Sequence, residues 1–309
     1  MKKIVVVLSI IAMAVAADTK IGGTTYFDYT SGDETSAFNF KRQYISFSGQ
    51  ASEDVKYKVI LDFGGTNKLD GEDKRLVSFL KKAQIDYNAS FAKVSMGLIG
   101  MNTYGVQEKN WGYRFIEKSA IDKNGYSSTA DIGIGFSKSM SEDLNVSLQI
   151  VNGEGYKVPQ QDKHHKISLN ATYGNGNLNK NDGYNAGLVY STEASDTDPT
   201  NMMSLFGGYA ASGLRVGAEY NTKTTGSDKS SLISLCANYA FKEDMDIFFR
   251  YDMDGGDPDD STDGDNYLIA GAVLNCGSGL SVAPNIRMTS YNNNAESISE
   301  YKINVQYKF

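Results

Sequence analysis

The last ten residues of the chain, Glu300-Tyr301-Lys302-Ile303-Asn304-Val305-Gln306-Tyr307-Lys308-Phe309, show the pattern that decides the fold. The odd positions carry Tyr, Ile, Val, Tyr and Phe, and the even positions carry Glu, Lys, Asn, Gln and Lys. Such alternation places every apolar side chain on one face of a β-strand. A soluble sandwich strand can show the same alternation, but an aromatic residue with no polar tail is an unusual end for one.

The same alternation recurs along the whole chain, for example over 55–63, 144–150 and 214–220. We predict sixteen strands, at about 19–30, 38–50, 55–65, 80–89, 92–101, 129–139, 144–154, 164–174, 184–193, 202–211, 214–224, 230–241, 245–253, 266–276, 280–291 and 299–309. Strand after strand with one apolar face and no separate apolar core is typical of a sheet that faces lipid. The predicted fold is all-β, a transmembrane antiparallel β-barrel closed between its first and last strands. A soluble all-β exported protein is the alternative.

The connections between these strands are alternately short and long. Ser52-Glu53-Asp54, Ser141-Glu142-Asp143 and Lys242-Glu243-Asp244 are near-copies of one tight turn, and Ser212-Gly213 and Ser278-Gly279 occupy equivalent places. Short periplasmic turns and long extracellular loops are the layout of outer-membrane barrels. The final strand also resembles the C-terminal assembly signal of Gram-negative outer-membrane barrels, which implies that Tyr307 and Phe309 form that signal.

The N-terminus predicts export. Lys2 and Lys3 precede a short apolar stretch over 4–16, and Ala14-Val15-Ala16 forms an A-x-A cleavage site. This is the pattern of a Sec signal peptide over 1–16, leaving a single barrel domain over 17–309 in the outer membrane of a Gram-negative bacterium. An uncleaved anchor is the alternative. The whole chain carries a formal charge of −7, and loss of the two lysines makes it more acidic, which argues against a nucleic-acid partner.

A barrel of about sixteen strands is too wide for side chains to fill, so we expect an aqueous channel. The longest connection, 102–128, contains the single tryptophan, Trp111, and follows the fifth predicted strand. By position it resembles the third loop of sixteen-stranded porins, and that resemblance implies a loop that folds into the lumen and sets the constriction. We predict Lys109, Arg114 and Lys118 as its constriction cations; an exposed loop with an aromatic patch is the alternative.

Four segments in order carry a family resemblance: Phe40-Lys41-Arg42-Gln43-Tyr44-Ile45-Ser46-Phe47-Ser48-Gly49, then 57–63, then 94–97, then 115–119. The succession resembles the phosphate-selective porin O and P family. The resemblance implies a homotrimeric outer-membrane channel that takes up anions such as phosphate through a lumen lined by arginine and lysine. Arg42 lies where the family has a strand arginine.

The polar faces of the predicted strands carry slightly more cations than anions, which favours a weak anion preference. The predicted lumen-wall cations are Arg42, Lys56, Lys58, Arg215, Arg250 and Arg287. The expected function is passive diffusion of small hydrophilic solutes and ions, without a cofactor and without catalysis. A structural or adhesive surface protein with no open pore is the alternative.

The other candidate sites carry weaker signals. Seven aspartates crowd the stretch 252–265, a density that could hold Ca²⁺ or Mg²⁺ or bridge to lipopolysaccharide, but the spacing does not follow an EF-hand and we predict no metal site. His164 and His165 have no neighbouring partners for catalysis or zinc. Cys236 and Cys276 are predicted to lie two strands apart, too far for a disulfide. The remaining expected partners are outer-membrane lipid and lipopolysaccharide.

Overall fold

The computed structural model describes residues 19–32, 35–66, 76–256, 263–293 and 295–309, and within them sixteen strands form one closed barrel. The strands are β1 (Lys20–Gly32), β2 (Ser36–Gln50), β3 (Val55–Thr66), β4 (Leu76–Asn88), β5 (Lys93–Gly100), β6 (Ala130–Ser139), β7 (Leu144–Val151), β8 (Lys166–Gly174), β9 (Gly183–Glu193), β10 (Thr200–Ala211), β11 (Leu214–Thr225), β12 (Asp228–Lys242), β13 (Met245–Gly256), β14 (Asp265–Gly277), β15 (Leu280–Tyr291) and β16 (Ile298–Lys308). Each strand pairs antiparallel with its sequence neighbours. The predicted sixteen-stranded antiparallel barrel is confirmed.

The barrel closes through pairing of β1 with β16, in a register that sets Thr25 opposite Tyr307. At the seam, the Gly23 amide donates to the Phe309 carbonyl (2.9 Å), and the Phe309 amide donates to the Gly23 carbonyl (3.1 Å). The Phe309 ring lies over Gly23, where an added Cβ would come within 2.1 Å of a ring atom. The glycine therefore leaves the space that the terminal ring fills. Tyr307 and Phe309 thus lie at the closing seam, and their role in assembly stays a prediction.

The outward face of the barrel is apolar because every second strand residue points to it. Ile132, Leu205, Ile233 and Ile247 are each more than a third exposed. Rings cluster where the strands meet the turns, as in the pair Tyr173, Tyr184, whose centroids lie 6.1 Å apart. An apolar band bordered by aromatic residues is the outer surface that lipid requires of a barrel. Neither helix in the described residues is long or apolar enough to cross a bilayer.

The turns at one end of the barrel and the loops at the other follow the predicted alternation. We call the end at which β1 begins and β16 finishes the periplasmic end. The predicted tight turns at 52–54, 141–143, 212–213, 242–244 and 278–279 all lie there, and in the fourth Lys242 is still the last residue of β12. A longer periplasmic connection, residues 175–182, joins β8 to β9.

Several sequence predictions concern residues that the structure describes only in part. The predicted signal peptide, 1–16, lies outside the described residues, as do Asp257, Asp259 and Asp260 of the acidic stretch. Cys236 lies on β12 and Cys276 on β14, with β13 between them, and both thiols are free.

Candidate functional site

Residues 102–128, which we call loop L3, connect β5 to β6. The loop folds into the lumen, as predicted. It contains two short helices, α1 (Gly105–Trp111) and α2 (Ala120–Lys123). Its entry is fixed by Asn102, whose amide nitrogen donates to Gln149 Oε1 (2.9 Å) and whose carbonyl accepts from Asn170 Nδ2 (2.8 Å). These partners lie on β7 and β8, so the loop turns inward as soon as it leaves β5.

Apolar side chains of L3 pack on the lumen face of the wall opposite β5. Trp111, Phe115 and Ile116 form a buried cluster with Phe248 and Ile269 of β13 and β14. The Trp111 and Phe248 rings meet edge to face at 5.9 Å. Burial of this much aromatic surface gives L3 a hydrophobic anchor inside a lumen that is otherwise polar.

Three of the predicted lumen-wall cations also hold L3 in place. Arg215 donates to the Asn110 carbonyl (3.0 Å) and the Trp111 carbonyl (3.1 Å). Arg250, 1% exposed, donates to the Lys118 carbonyl and pairs with Asp252 at 2.5 Å. These side chains project inward, and their guanidinium groups are occupied by the loop; their role as pore-lining cations stays a prediction. Sequence alternation gave the face of each arginine, and the position of L3 determined its partners.

Arg287 is the third arginine that holds L3 through a main-chain carbonyl, and it also forms an ion pair with the loop. Its Nη2 donates to the Ile116 carbonyl (2.6 Å), and its Nη1 pairs with the Glu117 carboxylate at 2.8 Å. Burial alone would raise the pKa of Glu117, but the guanidinium groups of Arg287 and Arg250 hold it below its ordinary value. The carboxylate of Glu117 is therefore charged and binds L3 to β15.

A second group of charges lies where L3 faces β2, β3 and β4. Asp62, fully buried, pairs with Arg42 at 3.3 Å and with Lys81 at 3.8 Å. Both cations also contact Tyr44, whose hydroxyl accepts from Lys81 Nζ at 2.9 Å. Arg42 was predicted for the lumen wall and Lys81 was not. The pairing of β3 with β4 shifts register between Ile60 and Leu61, and this bulge lets Lys81 and Lys82 both project inward.

L3 contributes its own charges to this face. Arg114 pairs with Glu108 and with Asp122, the latter at 2.9 Å, and Lys118 lies 4.0 Å from Asp122. A cavity of about 160 Å³ separates these groups from the wall. Its lining includes Arg42, Arg114, Lys118, Asp122, Glu154 and Lys157. We call this group, together with Lys81, Asp62 and Glu108, the upper cluster.

Below the upper cluster, the wall of β3, β4 and β5 carries lysines. Lys56, Lys58, Lys82 and Lys93 lie on one face of these paired strands, where Lys56 is opposite Asp86 and Lys93 is opposite Asn88. We call Lys56, Lys58, Lys82 and Lys93 the lysine wall. Lys93 lines a cavity of about 610 Å³ at the periplasmic end together with the predicted L3 cation Lys109. The structure thus brings Lys109 to one space with Lys93, whereas the predicted wall cations Lys56 and Lys58 do not line that cavity.

The acidic stretch lines a separate cavity at the extracellular end. Asp254, Asp263 and Asp265 border a space of about 440 Å³ with Tyr126 of L3. Within the described ranges, no group of three or more histidine, cysteine or acidic side chains has an arrangement that could hold a metal ion. His164 contacts Asp196 at 3.0 Å in the exposed loops, away from the lumen clusters.

The closed sixteen-stranded barrel with an inserted third loop defines the class of protein: an outer-membrane porin, which forms a water-filled channel. Solved porin structures share the fold. They include OmpF of Salmonella typhi in complex with daunomycin (13% identity, TM-score 0.68, covering 95% of this chain and 98% of that one) and OmpT of Vibrio cholerae in its trimer form (10%, 0.68, 95% and 99%). An anion-selective porin from Comamonas acidovorans is also similar (12%, 0.67, 95% and 100%). No curated protein matches the sequence.

Sequence comparison shows the family to which the chain belongs. The model of the phosphate-selective porin O and P family matches residues 20–226, about two thirds of the chain. The chain belongs to this family, as the resemblance of its first half predicted. Family and fold together point to a channel rather than an enzyme.

Proposed function

We propose that the channel passes small anions in preference to cations, and that two groups of basic side chains set this preference. An anion entering from outside meets Arg42, Lys81, Arg114, Lys118 and Lys157 of the upper cluster. It then passes the lysine wall on its way to the periplasm. Rows of basic side chains along a pore lower the energy of anions and raise that of cations.

The charge balance of the lysine wall is the observation that carries this proposal. The strand register puts four lysines on one face there, and Asp86, opposite Lys56, is the carboxylate among the strand residues paired with them. In the upper cluster, by contrast, Asp62, Glu108 and Asp122 pair with most of the cations. The net positive charge of the path is therefore greatest below the constriction.

The test is the reversal potential of purified channels in a planar bilayer under a KCl gradient. We expect an anion-side reversal for the parent and a marked loss of preference for the combined variant Lys58→Gln, Lys82→Gln, Lys93→Gln. Lys163→Gln with Lys242→Gln is the control for loss of charge outside the lysine wall, because Lys163 is exposed in a loop and Lys242, the last residue of β12, lies beside Phe241 at the periplasmic end. A cation-side reversal in the parent would refute the proposal, and absence of channels from folded barrels would favour the structural or adhesive alternative.

Phosphate is the first multivalent anion to test, since the family is described as phosphate-selective. We expect phosphate to reduce the chloride current of the parent in a concentration-dependent way. The triple lysine variant should need more phosphate for the same reduction, because doubly charged anions gain more from each lysine than chloride does. Equal inhibition of parent and variant would show that the lysine wall does not take part in phosphate binding.

We further propose a homotrimer in the outer membrane, in contact with lipid and lipopolysaccharide. The apolar outward band supports the lipid contact, and the trimeric Vibrio cholerae structure supports the assembly. Sec export with cleavage after Ala16 is the expected route. Native mass determination of the outer-membrane form tests both points, since it gives the number of subunits and the mass of a chain that begins at Ala17.

A further inference from the structure

The periplasmic connection between β8 and β9 differs from the tight turns around it. We call this segment, Asn175-Gly176-Asn177-Leu178-Asn179-Lys180-Asn181-Asp182, the inner turn. It is polar throughout except for Leu178, and Leu178 is only 3% exposed. A leucine in a turn that projected into the periplasm would be in water, so the tip of this turn folds inward.

Leu178 packs against the lumen face of β10, next to helix α1 of L3. A Cβ placed on Gly208 would lie 2.9 Å from Leu178 Cδ1 and 2.7 Å from Asn110 Nδ2. The leucine and the asparagine of α1 thus lie side by side over a residue that has no side chain. The inner turn therefore reaches L3 from below.

Polar contacts connect the inner turn to the same part of L3. Arg215 donates from Nη1 to Asn179 Oδ1 (2.9 Å) while it holds the Asn110 and Trp111 carbonyls. Asn185 donates to the Asn175 carbonyl (2.8 Å), and its side-chain amide also exchanges two hydrogen bonds of 2.9 Å with that of Asn110. Two wall residues therefore bind the turn and the loop together.

Lys180, exposed near the tip of the inner turn, carries its charge over the periplasmic opening. It directly follows Asn179, which Arg215 holds beneath α1 of L3. An exposed charge on a turn that folds inward below L3 lies in the path of an ion that leaves the barrel.

We propose that the inner turn is a second constriction at the periplasmic exit, with Lys180 as a selectivity-determining residue and Asn179 as a positioning residue for L3. L3 narrows the lumen from the extracellular side, and the inner turn meets it from the periplasmic side. This inference rests on the proposed function, since it concerns the exit of the same anion path.

Two variants of the full-length protein, recorded as single channels in KCl, test the exit. In the first, Asn-Gly replaces residues 177–182, which closes β8 and β9 with a two-residue hairpin turn. We expect a higher conductance. In the second, Lys180→Glu, we expect the anion-to-cation permeability ratio to fall by about two- to fivefold, the effect of a charge change a few ångströms from an ion in water. Lys242→Glu makes the same change on an exposed turn and should leave the ratio unaltered.

The positioning role of Asn179 has its own readout. Asn179→Ala removes the acceptor for Arg215 and should increase the open-channel current noise, because L3 is held less firmly. Asn181→Ala is the matched control, since Asn181 bonds only within the turn, to the Asn177 carbonyl. Equal noise in both variants would remove Asn179 from the positioning of L3.

The outcomes separate this inference from the proposed function. An anion-selective parent whose selectivity and conductance are unchanged by Lys180→Glu and by the shortened turn would overturn the second constriction and leave the anion channel in place. A parent that forms no channels or prefers cations would overturn both. If the shortened turn fails to fold, the Lys180→Glu comparison with Lys242→Glu decides alone.

Discussion

Replacement of Arg287 by methionine is expected to release L3 from β15. The guanidinium, 6% exposed, holds the Ile116 carbonyl at 2.6 Å and the Glu117 carboxylate at 2.8 Å. Loss of one partner from a buried ion pair costs about 3–5 kcal/mol. Glu117 keeps the Tyr267 hydroxyl (3.1 Å) and the Lys118 amide (3.0 Å) as donors, so we expect a cost at or just below the lower end of that range, about 2–3 kcal/mol.

Tryptic cleavage within L3 measures this cost. Arg114, Lys118 and Lys123 are sites for trypsin that the barrel protects, because a protease cannot enter the lumen and L3 must leave the wall to be cut. When opening is fast relative to cleavage, the rate follows the population of the open form. A loss of about 2–3 kcal/mol raises that population by roughly 30- to 150-fold. Cleavage at Lys163, whose side chain is 73% exposed, is the internal control and should keep its rate.

A double-mutant cycle separates the ion pair from the rest. Glu117→Gln removes the charge that Arg287→Met leaves unpaired, so the double variant should cost less than the two single changes added together. Cleavage of L3 in Arg287→Met that rises less than about threefold (roughly 0.7 kcal/mol) would refute the view that this arginine holds the loop.

Three further predictions concern the seam, the constriction and the position of L3. Gly23→Leu should lower the thermal unfolding temperature by displacing the Phe309 ring, at a cost of about 1–3 kcal/mol. Gly22→Ala should not, because the nearest atoms to its Cβ would be 3.4 Å away. Equal unfolding temperatures for the two variants would contradict this prediction. Lys81→Gln should lower the anion-to-cation permeability ratio in a bilayer, and an unchanged ratio would remove Lys81 from the selectivity of the pore. Trp111 is the single tryptophan of the chain and is 2% exposed. Its fluorescence emission should shift to longer wavelength whenever L3 detaches. An unshifted spectrum in a variant whose L3 is readily cleaved would show that the ring keeps its apolar site.

The strands could be predicted from sequence because lipid imposes a strict rule on them. Each outward residue must be apolar, so the two-residue period is visible in β16 and in most of its neighbours. The tight turns at 52–54, 141–143 and 243–244 could be located for the same reason, since each interrupts the period at a regular distance. The third loop was predicted by length and order alone.

The partners of the lumen side chains could not be predicted in this way. Lys81 projects inward because of a bulge between Ile60 and Leu61, and alternation assigns only one of two adjacent residues to each face. Alternation predicts a face for Arg215, Arg250 and Arg287 but not their partners, which depend on the docking of L3. One sequence feature points to the inner turn: Leu178 is the lone large apolar residue of an asparagine-rich connection. Its significance became clear only from the burial of its side chain in the structure.

Arginine and lysine side chains have different roles in the lumen because their chemistry differs. Every arginine in the described part of the chain contacts a carbonyl or carboxylate oxygen: Arg42, Arg114, Arg215, Arg250 and Arg287. The planar guanidinium binds two such acceptors at once and is less strongly hydrated than an ammonium, so it suits a fixed loop in a poorly hydrated space. The lysine wall consists of compact ammonium charges, which a passing anion can approach without breaking a fixed contact with L3. A basic residue count therefore overstates the charge available to ions, and the selectivity of this channel should depend on its lysines while the shape of its constriction depends on its arginines.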